Sequence, residues 1–301
     1  MMSFKKIIEA EWFTFFSTPA LLWQSLFVLL PLSIVLIFSL LDFSSNSITL
    51  TLAHYKAICT TTHIWAILNS LLFSALTTAA CIVIAYPVAY YIAFCIKQFK
   101  LFLLLLLIMP SWTNIATQVY AWFVLLQKNG LISSLLKMLY ITKDSMHLLN
   151  NKPVIIVGLT YCFLPFMILP LYLSLSSIKK NLLEASADLG ATNFETFYRV
   201  ILPLSKGGLI NGILLVSVPT FGEYAVIEIL GGANYALWGN NIVNTYLVAS
   251  NYAQGAALTV AGITAFLLSI LLCIITYKLI RYIKNYKPTM HVLAPEREGE
   301  Y

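Results

Sequence analysis

Six stretches of this chain are apolar over lengths that only a bilayer accommodates. They fall near residues 20–41, 66–93, 101–125, 153–177, 207–230 and 256–280. A helix rises 1.5 Å per residue, so about 20 apolar residues cross roughly 30 Å of hydrocarbon. Each stretch is long enough. The expected fold class is therefore all-α integral membrane with six transmembrane helices. Stretches one to four and six are unambiguous. The fifth is interrupted by Pro219 and Gly222 and carries Glu223, which predicts a bent helix.

Composition agrees. Of the 301 residues 60% are hydrophobic and 10% charged, with a mean hydropathy of +0.85, whereas soluble domains carry roughly 25% charged residues. That is too little charge to coat a globular surface. The net charge of +6 forms no basic run, so it argues for membrane orientation and against nucleic acid. Thirteen of the 18 Lys and Arg fall in the connections on one side if the N-terminus is cytoplasmic: Lys5, Lys6, Lys97, Lys100, Lys179, Lys180, Arg199, Lys206, Lys278, Arg281, Lys284, Lys287 and Arg297. Lys56, Lys128, Lys137, Lys143 and Lys152 fall on the other, four of them in the dissenting 126–152 loop. The expectation is a multi-pass membrane protein with both termini cytoplasmic.

The organisation follows. Residues 1–19 form a cytoplasmic N-terminal segment. Phe4, Ile8, Trp12, Phe15 and Phe16 share one helical face, which fits a helix lying in the interface or a plain lead into the first span. Residues 20–65 hold the first span and an outer loop, 66–280 the transmembrane core, and 281–301 a polar cytoplasmic tail. The stretch 20–41 is too long for a signal-peptide core and no cleavage pattern follows it. The five cysteines contain no CxxC, and they read as small buried hydrophobes.

The most patterned polar segment is the loop 178–206 between the fourth and fifth spans. Asn181 with Glu184 has the spacing of a capping box, and Gly190 suits the left-handed residue that ends a helix. Thr192 with Glu195 repeats the box and starts a second helix, with Phe194, Phe197, Tyr198 and Ile201 as its apolar stripe and Pro203 at its end. Two short capped helices exposing aromatic residues suit a partner's groove; a loop folded over its own span ends fits the same pattern.

Glu184-Ala185-Ser186, Gly190 and Val200-Ile201-Leu202-Pro203 resemble the EAA motif of ABC importer permeases, with Ser186 and Val200 as mild departures. Further strings resemble the spermidine/putrescine permeases, closest to their B-type subunit: Met109 to Asn114, Leu164-Pro165-Phe166-Met167, Pro170-Leu171-Tyr172, and Phe221-Gly222-Glu223-Tyr224 through Gly232. The resemblance implies a type I ABC importer permease (MetI-like) fold. It also implies that Glu184, Ala185, Ser186, Gly190, Phe194, Phe197, Leu202 and Pro203 form the loop that couples to an ATPase. The partners implied are a second related permease, two copies of an ABC ATPase and a periplasmic polyamine-binding protein. The chain has no GxxxxGK[ST] loop, and its four His residues, His54, His63, His147 and His291, are isolated. It is accordingly expected to bind no metal or cofactor and to catalyse nothing, with ATP used by the partner ATPase.

Glu223 is the only carboxylate well inside a predicted span, roughly 24 Å along a helix starting near Gly207. An ionisable group there is a pathway candidate. Glu228 follows at the outer interface, where water can reach it. On a regular helix the two would sit about 140° apart. Trp112, Tyr120, Trp122 and Tyr224 could offer cation–π faces to a polyamine; an interfacial aromatic belt explains each of them as well. The same loop motif serves permeases for thiamine, iron or oxyanions. A solitary ion-coupled transporter would call for matching pairs of broken helices, and only one broken span is visible in the sequence.

Overall fold

A computed structural model describes residues 4–42, 49–128, 130–139, 148–232, 235 and 237–285, with 4–16, 136 and 282–285 described for the backbone only. The tail from 286, His147, His291 and the side chains of the N-terminal aromatic face lie outside the described residues.

α1 (Phe4–Phe38) is one continuous helix, so residues 4–19 run into the first span without a break. From Leu21 to Ile37 its large apolar side chains are exposed on every side, the pattern of a helix whose solvent is lipid. A two-residue hairpin (β1 Leu41–Asp42, β2 Thr49–Leu50) and α2 (Ala53–Ile58) lead to α3 (Thr61–Tyr90), which ends in a π turn, Tyr91–Cys95. α7 (Lys152–Ser176) forms the fourth span.

The third stretch corrects the expectation of an unambiguous span. α4 (Lys100–Ile108) passes into a 3₁₀ turn at Met109–Trp112, and α5 (Ile115–Leu126) starts anew, with the axis turned by 89°. Pro110 cannot donate, and Asn114 accepts from Ala116 N at 2.8 Å to cap the new helix. Among the described residues two apolar stretches are therefore interrupted, the third over residues 109–114 and the fifth at Glu223 and Tyr224. α6 (Leu131–Met138) follows α5.

Between α7 and α11 lie α8 (Lys180–Asp188), α9 (Asn193–Thr196), a π turn (Phe197–Ile201) and α10 (Leu202–Leu204). α11 (Lys206–Gly222) is the first part of the fifth span, followed by α12 (Ala225–Gly231) and α13 (Trp238–Val243). α14 (Tyr252–Asn285) supplies the last span. Its residues up to Gly262 belong to the main compact unit; from Ile263 onward it forms a second unit whose leucines and isoleucines are largely exposed.

The core sits where α3, α7 and α11 pack on one another, with α12 against α5 and α7. Ile155, Leu159, Met167, Ile168, Leu171 and Leu175 of α7 are fully buried, as are Val216, Ile227 and Leu230. Lipid gives no hydrophobic drive between spans, so close approach and hydrogen bonds carry the packing. Gly208 and Gly212 provide the approach. A Cβ on Gly208 would overlap Pro170 O, and one on Gly212 would meet Met167 Sδ. Between α3 and α11 the Ser74 hydroxyl donates to Ser217 O at 2.8 Å, and Thr220 Oγ1 lies 3.1 Å from Ser74 Oγ.

Candidate functional site

Two places concentrate chemistry: the folded loop between α7 and α11, and the break between α11 and α12. In the loop, local sequence does most of the work. Gly190 has φ +77°, and its N–H donates to Ala187 O at 2.9 Å while Ala191 N–H reaches Ser186 O at 3.1 Å. This pair of bonds is a Schellman stop. Thr192 and Glu195 form the expected capping box, Thr192 N–H donating to Glu195 Oε2 at 3.0 Å and Glu195 N–H to Thr192 Oγ1 at 3.3 Å. The Thr192 amide and hydroxyl, and then Arg199 at 3.7 Å, hold the Glu195 carboxyl below the usual carboxylate range. Asn181 does not cap α8. That helix begins at Lys180, with Lys179 at its N-cap and no side-chain cap bond, so Asn181 already lies inside the first turn.

The loop's residues divide into two faces. Ser186 is buried, donating to Leu183 O at 2.8 Å and bonded to Thr196 Oγ1 at 3.0 Å, which ties α8 to α9. Phe197 is turned inward, its ring edge-on to Tyr86 at 5.4 Å and to Tyr90 at 6.4 Å on α3. Ile201 and Ser205 are buried, and Leu202 is half-buried. At Ser205 the chain bends by 65° into α11, just past Pro203. The outward face carries Glu184, Ala185, Gly190, Leu189 at 89% exposure, Phe194 at 76% and Tyr198 stacked on Phe194 at 6.5 Å. Leu189 was not singled out by sequence reasoning; a leucine just before a helix-ending glycine was the available signal.

The fifth span does not carry Glu223 inside a helix, which corrects the bent-helix expectation. α11 stops at Gly222, and Glu223 is extended with φ −67° and ψ 130°. Its Oε1 accepts from Ala225 N at 3.0 Å and Val226 N at 3.4 Å, so from one residue ahead of the N-cap Tyr224 it satisfies the first N–H groups of α12. With the helix interrupted, the 140° separation from Glu228 no longer applies. Glu228 is exposed, and its Oε2 accepts from Asn240 Nδ2 of α13 at 2.7 Å. Trp112, Tyr120 and Tyr224 are exposed. Trp122 is half-buried, edge-on to Tyr161 of α7 at 5.5 Å. The half-helices after the two breaks, α5 with Tyr120 and Trp122 and α12 with Glu228, pack against each other. Asn240 is the residue of this region that sequence reasoning missed, because it lies twelve residues from Glu228 in a different helix.

Multiple apolar helices, two of the apolar stretches broken, and a folded loop between the fourth and fifth define a multi-pass membrane protein. The family model for "binding-protein-dependent transport system inner membrane component" matches residues 85–285, and the chain belongs to that family. It is 36% identical over 245 residues to the spermidine/putrescine transport system permease protein PotB of Haemophilus influenzae, covering 80% of this chain and 85% of that one. It is 35% identical over 241 residues to PotB of Escherichia coli K12, covering 79% and 88%. In fold it is similar to a bacterial ABC transporter involved in import of the acidic polysaccharide alginate. That match has a TM-score of 0.70 and 16% identity, over 91% of this chain and 98% of the solved one.

Proposed function

We propose that this chain is the B-type membrane subunit of an ATP-driven importer of polyamines in a bacterial inner membrane. It pairs with a second related permease and couples to two copies of an ABC ATPase, which uses the ATP. A periplasmic polyamine-binding protein delivers the substrate. Both termini and the loop 178–206 are cytoplasmic in this reading, in keeping with the Lys and Arg bias.

The observation that carries the reading is the split face of the loop. A segment that only covered its own spans would bury its apolar residues. Here Phe197, Ile201 and Ser205 anchor it inward, while Leu189, Phe194 and Tyr198 stand outside. Exposed apolar clusters of this kind mark binding surfaces. The polyamine assignment is supported by the relatives' names at 35–36% identity and by Glu223 and Glu228 at the broken fifth span. Carboxylates pair with ammonium groups, and the exposed aromatics nearby suit the methylenes and cation–π contact.

The test is ATP-dependent uptake of radiolabelled putrescine and spermidine into proteoliposomes holding the whole complex with its binding protein. Saturable uptake competed by unlabelled polyamine and not by thiamine is expected. Uptake of thiamine, ferric iron or an oxyanion in its place contradicts the substrate assignment.

A further inference from the structure

Asn240 joins α13 to Glu228 in a way that packing does not require. It is only 5% exposed, and its Nδ2 donates to Glu228 Oε2 at 2.7 Å, the length of a charge-assisted bond. Its other amide atom, Oδ1, is buried with no donor. Rotating the amide cannot repair this, because the carboxylate only accepts and would then face a second acceptor. Glu228 therefore fixes the orientation of the amide, and the unmet Oδ1 follows from it. A buried acceptor without a donor is costly, so the bond to Glu228 is kept at the expense of the other end of the amide.

The base from which Asn240 reaches is rigid. Its neighbour Trp238 is fully buried, and Trp238 N–H donates to Ser70 Oγ of α3 at 2.8 Å. Gly239 lies against Gly222 O and Glu223 O, where a Cβ would meet backbone. α13 is thus seated on the break in the fifth span, and from there it tethers one oxygen of an otherwise exposed carboxylate.

Resting on the polyamine reading, we infer that Asn240 is a specificity-determining positioning residue that aims Glu228 at a substrate's primary ammonium. Glu228 supplies the charge. The Asn240 amide holds Oε2 of the carboxylate in place and leaves Oε1 for one of the three N–H donors of an ammonium. Neutral solutes of similar length gain nothing from this pair.

The test uses the whole complex in proteoliposomes, with uptake rates at saturating binding protein divided by the amount of permease present. Glu228→Gln lowers the rate per permease about tenfold, the loss of one charge-assisted contact. Asn240→Ala lowers it about threefold to tenfold for both polyamines. Asn240→Asp, which removes the amide donor and sets a second acceptor against Glu228 Oε2, lowers the rate per permease at least as far as Asn240→Ala. Three results overturn the inference: Asn240→Asp with a higher rate per permease than Asn240→Ala, Asn240→Ala lowering permease amount while the rate per permease stays normal, or Asn240→Ala with no effect at all. Normal uptake by Glu228→Gln instead removes the pathway reading beneath it.

Discussion

Tyr86 Oη lies 2.6 Å from Ser205 Oγ, both groups buried and 119 residues apart. Ser205 Oγ also lies 3.3 Å from Leu202 O, within the loop. Ser205 is the bend between the folded loop and α11, and the same Tyr86 ring receives Phe197 of the loop. α3 is thereby fastened to the elbow, so a movement of the loop reaches two spans at once.

The first prediction concerns that fastening. Tyr86→Phe removes one hydroxyl and keeps the ring against Phe197. The net loss of one hydrogen bond is about 1 kcal/mol, too little to prevent assembly. ATP hydrolysis by the complex is expected to persist while polyamine uptake per ATP falls. Paired ATPase and uptake measurements check this, and unchanged uptake per ATP would show that the elbow is not a transmission point.

Packing of α11 on α7 gives the second. At Gly208 a Cβ overlaps the backbone carbonyl of Pro170, which cannot swing aside as a side chain does. Gly208→Leu should therefore destabilise by about 1–3 kcal/mol or more. Gly207, with nothing near its would-be Cβ, should accept alanine with little change. Thermal unfolding of the detergent-solubilised complex distinguishes the two.

Gly190 separates backbone strain from crowding. No atom lies within 4 Å of a would-be Cβ there, but φ is +77°. Gly190→Val should cost about 1–2 kcal/mol through the left-handed backbone alone, and Gly190→Asn distinctly less. Hydrogen exchange at Leu189 to Thr192 reads the local effect.

The capping box of the second loop helix makes a pH prediction. Glu195 is held below the usual carboxylate range chiefly by Thr192, with Arg199 adding to it. A depressed folded-state value means that its contribution is complete above the ordinary carboxylate range and lost as pH falls through the folded value. Amide protection at Asn193 to Phe197 should hold at neutral pH and weaken in acid, and Thr192→Ala should move that weakening to higher pH. The Thr192 amide, the larger cause, remains in that variant, so an unshifted midpoint would contradict only the share given to the hydroxyl.

What the sequence made legible was local. Gly190 and the Thr192–Glu195 box act over a few residues, and the structure has both where spacing places them. The six apolar stretches were visible for the same reason. The break at Met109 to Asn114 was written in Pro110 and Asn114, yet the continuous hydropathy of 101–125 concealed it. Counting a single broken span had weighed against a solitary transporter; with two broken spans that weight is gone, and family membership decides the matter. Tyr86 with Ser205, Trp238 with Ser70 and Asn240 with Glu228 were not legible, because each pair depends on which helices the fold brings side by side. The inward turn of Phe197 is of the same kind: its periodicity matches that of Phe194, and only α3 distinguishes them.

The most direct measurement places a cysteine at Leu189 in a background lacking Cys59, Cys81, Cys95, Cys162 and Cys273 and follows crosslinking within the assembled complex. Leu189 is 89% exposed on the outward face of the loop. A thiol there is expected to crosslink to the ATPase subunit, with a yield that changes between nucleotide-free and ATP-bound states. Labelling of that cysteine by a membrane-impermeant thiol reagent from the periplasmic side, with no crosslink to the ATPase in either state, would contradict the account.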